Sequence, residues 1–394
     1  MIFRKICYDK DPDSPNACGV SRRALLTASA AGAAAAASGG ILAQPAARAA
    51  VGMAAGNPGP AASAFTGAVL QALATHQLVG IGEQHQLQEH HDLMQTLLTD
   101  PRLPDLVDDI VVEFCNSLYQ DLIDRFILSD DPVDDADLRL VWRNTTQSPL
   151  QTWDAPVYEQ FLRRVRAVNW TLPPDRRIRV LAGDPPIDWS VITSVQQLRP
   201  FLRQRDTCPA SVVQQQVLAK GRRALIHYGG GHLLHVNAVP GLSLLPTLVS
   251  IVEQQTGVRA WTLTDLVPLA GDPGGLGTRL LRYPRDTVIP TAGTWLGQLN
   301  AGDVTGAITV HNGQQINIFC GTPLGKLQDA GLNLGQPAVL TTSWPNPAVF
   351  LDPVYWAELQ RRNAFGAPSD LDSYRVQQPP PWQLASVPAC STAS

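Results

Sequence analysis

Lysine is scarce in this 394-residue chain: only four of its thirty basic residues are Lys, and Asp, Glu, Lys and Arg together make up 16% of the sequence. The first 49 residues carry a net +3, so the formal charge of −4 leaves the remainder at −7. A mildly acidic body without Lys/Arg runs argues against nucleic acid or an anionic membrane surface as the main partner. No CxxC pair occurs, so neither a zinc ribbon nor a dithiol redox site is indicated. There is no GxSxG elbow, no Walker A loop and no HExxH helix. Gly274-Gly275-Leu276-Gly277 lies late and opens no clear helix, which makes it a poor nucleotide loop. After the N-terminal segment, nothing strings together the roughly eighteen apolar residues of a membrane span. With 44% hydrophobic residues the chain is apolar enough to pack, and its length suits one large α/β domain with flanking segments.

The N-terminus reads as an export signal. Ser21-Arg22-Arg23-Ala24-Leu25-Leu26 precedes an Ala/Gly-rich run to about Ala43, and Ala47-Arg48-Ala49 has the small-x-small form of a cleavage site. Paired arginines before a weakly hydrophobic stretch resemble a twin-arginine signal. The expectation is a signal over 1–49, a linker over 50–63, an α/β domain over 64–365 and a Pro-rich flexible tail over 366–394. The protein is then periplasmic or secreted, with the twin-arginine export machinery as a partner and no membrane span in the mature chain. Four cysteines remain after such a cleavage, Cys115, Cys208, Cys320 and Cys390, and spacing does not pair them. Cys115 ends an apolar run and suits a core position.

Hydrophobic patterning alternates between strand-like and helix-like segments. Leu78 to Glu83, Asp109 to Phe114, Arg177 to Asp184, Arg223 to Tyr228 and Arg259 to Asp265 read as strands. Helical spacing falls between them, over Gln86 to Leu98, Ser117 to Leu128, Asp137 to Trp142, Asp154 to Val168, Val195 to Arg203, Ser211 to Lys220 and Leu244 to Gln255. Such alternation predicts crossover connections and a mostly parallel β-sheet flanked by helices. Beyond Val267 the composition shifts to Gly, Pro and Asn. Asn312-Gly313 marks a C-terminal hairpin between strand candidates at Ala307 to His311 and Gln315 to Phe319.

In an open parallel sheet, ligands bind beyond the carboxyl ends of the strands. The reactive side chains fall at those ends: Glu83 and His85 after the first strand, Glu113 in the second, Asp184 at the third, and Tyr228 and His232 after the fourth. These are the ingredients of a metal site or of acid–base chemistry. Glu83 and His85 are the first choice, against the alternative of an ordinary polar turn. Glu113 inside Ile110-Val111-Val112-Glu113-Phe114 needs a partner if its strand is central. His90 and His91 sit in the first turn of the next helix, where one can face the rim and the other must face away or sideways. Asp184 precedes two prolines and also suits a plain turn. His232 follows Gly229-Gly230-Gly231, a triplet whose backbone can approach a ligand closely. His227 reads as core, and His235 and His311 have no context that lifts them.

Gly82-Glu83-Gln84-His85 followed by His90-His91 resembles the opening motif of ChaN-type haem-binding lipoproteins, a superfamily similar to the erythromycin esterases and the TraB/Tiki proteins. Glu113 and His232 match its later carboxylate and histidine. The likeness spans about residues 66 to 266. The GExH spacing departs from the usual GExxH of erythromycin esterases, and Gln86 stands where ChaN-type proteins usually have Asp, so macrolide hydrolysis does not carry over. The resemblance implies a water-activating hydrolase acting on an ester or amide, with Glu83, His85, Glu113 and His232 as catalytic residues. It admits a divalent metal held by Glu83, His85, Glu113, Asp184 and His232. The alternative it implies is a non-enzymatic protein that binds haem, with His90 and Tyr228 as cofactor contacts. The partner is accordingly a small-molecule substrate or haem.

Overall fold

A computed structural model describes residues 63–148, 153–235, 246–305, 317–365, 370–375, 382–388 and 390, together with the backbone of 238–239, 242–243, 308–311 and 314–316. The expected signal over 1–49 lies outside the described residues, as does the Asn312-Gly313 turn. Eight strands form one sheet: β1 (Ser63–Ala64), β2 (Leu78–Glu83), β3 (Asp109–Asn116), β4 (Arg179–Asp184), β5 (Ala224–Gly229), β6 (Trp261–Asp265), β7 (Thr287–Pro290) and β8 (Ala330–Asn333). Their order is β1-β7-β8-β6-β2-β5-β3-β4. The six strands from β8 to β4 are mutually parallel, while β7 runs antiparallel to both β8 and β1.

The five strands legible in the sequence are all present. They occupy the interior and one flank of the sheet, with ends one or two residues from those expected. The other flank comes mostly from the stretch after Val267, where β7 and β8 extend the sheet although each is only four residues long, with the two-residue β1 at its edge. So short a run shows no period of its own. The predicted hairpin forms, pairing Ile308–His311 with Gln314–Asn317.

Helices cover both faces: α1 (Phe65–Thr75), α2 (Gln88–Leu98), α3 (Gln120–Leu128), α4 (Asp135–Arg143), α5 (Pro156–Asn169), α6 (Val195–Arg203), α7 (Thr207–Val212), α8 (Leu248–Thr256), α9 (Leu276–Leu280), α10 (Trp295–Gln298) and α11 (Pro353–Asn363). Every residue of β2, β3 and β5 is buried, which explains why these strands read as near-continuous apolar runs rather than alternating ones. α2, α3 and α5 pack Met94, Leu97, Ile123, Phe126, Phe161 and Leu162 into the largest core with Val79, Ile81, Ile110 and Val112. A second core on the opposite face joins Leu78, Val111, Ile226 and Tyr228 to α7 and α8.

Two sets of contacts tie down the ends. At the amino end of the parallel strands, the buried carboxylate of Asp109 accepts from Arg179 Nε at 2.6 Å and from Arg222 Nε at 2.8 Å. Past residue 366, where a loose tail was expected, the described residues are tied to the body. Cys390 is disulfide-bonded to Cys320, Trp382 packs on the main core, and Ala385 O accepts the Ala270 N–H at 2.9 Å. Cys115 is buried with a free thiol, as expected. No described helix is long and apolar enough to cross a membrane.

Candidate active site

The carboxyl ends of β2, β3, β5 and β6 converge, and side-chain parity decides what meets there. Ile81 pairs with His227 and Glu83 with Gly229 across β2 and β5, so Glu83 and His227 share one face of the sheet. Asp265 at the end of β6 lies level with Glu83 on the next strand. The chain leaves β2 through a tight turn in which Gln86 holds a left-handed φ of 65°, and the Gln86 N–H donates to Tyr158 Oη at 2.9 Å. A non-glycine residue in this region is strained, and its neighbours hold it there. The turn swings His85 back over the rim. Gly229 is obligatory at this point: a Cβ there would lie 2.8 Å from His85 Cε1 and 3.1 Å from Glu113 Oε2.

Glu83 is the hub. Its Oε1 accepts from His85 Nδ1 at 2.8 Å and from Tyr158 Oη at 3.2 Å, and its Oε2 lies 2.7 Å from His91 Nε2. Burial alone would raise this carboxyl, but His91 and His85 outweigh it and hold Glu83 well below the usual carboxylate range. The His85 ring packs edge-on against Trp153, with centroids 4.8 Å apart.

Glu113 is the second centre. Its Oε2 accepts the Gly229 N–H at 2.6 Å and lies 4.0 Å from His85 Nε2. Its Oε1 accepts from Gln147 and from Arg205 at 2.9 Å, and lies 3.5 Å from His232 Nε2. Burial again opposes ionisation, but His232, His85 and Arg205 keep Glu113 ionised and far below the ordinary range. His232 Nδ1 sits 2.7 Å from Asp206 Oδ1. Burial works against its charge, yet Asp206 and Glu113 raise His232 from 6.5 to about 9, so it is an imidazolium at neutral pH.

All four residues expected to be catalytic therefore lie in one connected array, Glu83–His85 facing Glu113–His232–Asp206. The other expectations need correction. Asp184 is not part of the array. It accepts from the Thr146 backbone and hydroxyl, and burial pushes it to about 8, so it is a neutral acid at pH 7. Of the expected metal set Glu83, His85, Glu113, Asp184 and His232, Asp184 stands apart, and a cation of the chain, the Arg205 guanidinium, lies 2.9 Å from Glu113 Oε1 and 3.3 Å from His232 Nε2. His90 and Tyr228, the expected haem contacts, are 0% and 1% exposed, and the Tyr228 hydroxyl packs against Gly183. Neither His90 nor His91 turns away from the protein. Both are buried beneath the rim, His91 against Glu83 and His90 with Nδ1 2.8 Å from Asp265 Oδ1.

Several members escaped the sequence reading. His227, assigned to the core, is buried there but places its Nε2 3.1 Å from His90 Nε2. Asp265 shared the signal of the others, a carboxylate at a strand's carboxyl end. Arg205, Asp206, Gln147 and Tyr158 come from loops and helices with no local mark.

No protein-family model and no curated protein matches the chain. Among solved structures it is similar to a mutant of the erythromycin esterase EreC in its open conformation, at 12% identity and a TM-score of 0.43, covering 67% of this chain and 92% of that one. It is similar to ChaN of Campylobacter jejuni with haem bound cofacially, at 13% identity and a TM-score of 0.34, covering 51% and 85%. A Bacillus cereus protein aligns at 10% identity and a TM-score of 0.43, covering 68% and 90%. The neighbours thus include two of the three kinds of protein named in the Gly82-to-His91 resemblance, and likenesses of this depth leave activity to be read from this chain's own side chains.

Proposed function

We propose that the protein is an exported hydrolase in which His85 activates water against an ester or amide. The observation that carries this reading is the 2.8 Å contact between Glu83 Oε1 and His85 Nδ1. A carboxylate on Nδ1 selects the tautomer in which Nε2 is the acceptor, the form a general base requires. His85 Nε2 takes a proton from water as the water oxygen attacks the carbonyl carbon. Glu113, ionised and 4.0 Å from that nitrogen, stabilises the imidazolium that results. His232 is already protonated and donates to the departing alkoxide or amine. The fixed charge of Arg205 favours the negative charge that develops on the carbonyl oxygen. One proton leaves water and one reaches the leaving group, so the cycle closes by exchange with solvent.

The proposal extends to the chain's organisation: a twin-arginine signal over 1–49, a linker over 50–63 and a catalytic domain over 64–365, acting in the periplasm or outside the cell. The test is a broad panel of esters, lactones and amides assayed with wild type and His85→Ala. Loss of a positioned base lowers kcat/KM by about 100-fold to 10,000-fold, with the circular dichroism spectrum unchanged. Wild type as inert as His85→Ala across the panel would end the hydrolase reading. A Soret band in protein from haem-supplemented cells, accompanied by that inertness, would put haem binding in its place.

A further inference from the structure

Beneath the rim lies a layer of donor atoms that the proposed hydrolysis does not use. His90 from α2, His227 from β5 and the second oxygen of Glu83 from β2 each present one donor atom, and these atoms all lie within 4.8 Å of one another. His90 Nε2 and His227 Nε2 are 3.1 Å apart, and His227 Nε2 is 3.7 Å from Glu83 Oε2. Ligands around a tetrahedral zinc at bond lengths of about 2.0–2.1 Å stand roughly 3.3 Å from each other. All three side chains are at most 2% exposed.

Three further features point to a cation. His91 Nδ1 and His227 Nδ1 have no hydrogen-bond partner, and Glu83 Oε2 has the 2.7 Å contact to His91 Nε2 but no well-directed hydrogen bond. Buried polar atoms are rarely left so. Glu83 and Asp265 bring two carboxylates into this layer, and among the described residues their ion-pair partners are histidines, with no Arg or Lys. Asp265 Oδ1 holds His90 Nδ1 at 2.8 Å, which turns the Nε2 lone pair inward, the outer-shell arrangement common to metal-bound histidines.

We propose that Glu83 Oε2, His90 Nε2 and His227 Nε2 bind one divalent transition metal of the zinc class, with Asp265 orienting His90. Two imidazoles and one carboxylate suit zinc, cobalt or iron(II) over magnesium or calcium. The ion balances the two buried carboxylates and anchors Glu83 from below, while its other oxygen orients His85 above. The site is distinct from the Arg205-occupied rim, and metal binding stands or falls independently of hydrolysis.

The experiment is metal retention by the full chain. Wild type is unfolded in chelator, refolded with ZnCl2 or CoCl2, dialysed and assayed by elemental analysis. One equivalent per chain is expected, with the visible d–d absorption of tetrahedral cobalt(II) in the cobalt form and a higher Tm than the metal-free protein. His227→Gln is expected to lose the stoichiometric metal, and Asp265→Asn to weaken binding by about 10-fold to 100-fold. His232→Gln, on the rim, is expected to keep it. The cobalt spectrum of wild type needs no variant to fold, so failure of His227→Gln to fold leaves the proposal exposed to refutation. Less than about a tenth of an equivalent in refolded wild type, equal retention by folded His227→Gln, or loss in His232→Gln overturns it.

Discussion

Substituting Asp206→Asn should uncouple His232 from its charge and shift the pH range over which the domain is most stable. His232 is faced by Asp206 at 2.7 Å, by Glu113 at 3.5 Å, by the Arg205 guanidinium at 3.3 Å and by the edge of the Tyr228 ring. The two carboxylates outweigh burial and raise it from 6.5 to about 9. A pKa raised on folding contributes stability that is fully present below pH 6.5 and is lost as pH rises through 9. The gap converts to roughly 3 kcal/mol, at about 1.4 kcal/mol per pH unit. Asn keeps an acceptor for the Leu248 N–H that Asp206 Oδ1 now binds at 2.9 Å, so the start of α8 stays capped while the charge disappears. Removing one adjacent opposite charge should lower the His232 pKa by about 1–3. Urea unfolding of both proteins between pH 6 and pH 10 should then show a deficit in the variant that is largest at pH 6 and fades toward pH 10. NMR titration of the His232 ring should show the same displacement, and the alkaline limb of any hydrolysis should move down with it. A wild-type His232 that titrates near 6.5, or a deficit of equal size at every pH, would refute the reasoning.

Two other outcomes follow from buried groups away from the array. Asp184 is pushed to about 8 by burial, so its ionisation weakens the folded state as pH climbs from the ordinary carboxylate range through 8. Asp184→Asn should fold normally, with Thr146 still bound, and exceed wild type at pH 8 and above by roughly 5 kcal/mol in urea unfolding, at about 1.4 kcal/mol per pH unit over the gap from 3.8 to about 8; equal stabilities there would count against the buried neutral acid. The Cys320–Cys390 disulfide spans 70 residues of sequence. Its removal by Cys320→Ser should cost about 4 kcal/mol by loop-closure entropy and appear as a lower Tm. An unchanged Tm would show that Trp382 and Ala385 alone hold this segment.

Much of the array was legible because the sheet repeats one rule. Each long central strand announces itself as an apolar run, and in a parallel sheet its polar residue at the carboxyl end must arrive at the same edge as the others. Glu83, His85, Glu113 and His232 could be grouped on that basis without coordinates. The rule failed where a side chain below the edge mattered. His227 sits two residues short of its strand's end inside Ala224-Leu225-Ile226-His227-Tyr228-Gly229, and sequence alone does not distinguish a histidine packed among aliphatics from one facing two other histidines. It also failed for Asp184, whose strand lies at the sheet's edge and whose carboxyl is claimed by Thr146. β7 and β8 were invisible for a different reason: four-residue strands take their stability from neighbours already in place.

The sequence by itself determined the α/β class, the five principal strands and the rim residues, because strand order along the chain and the periodicity of burial are local properties that each segment carries alone. Tertiary structure decided the charged surroundings of His232, the placing of Arg205 between Glu113 and His232, and the meeting of His90, His227, Asp265 and Glu83 beneath the rim. Those depend on which charges stand within a few ångströms in a dry interior, and residues more than a hundred positions apart acquire that proximity only when the sheet closes.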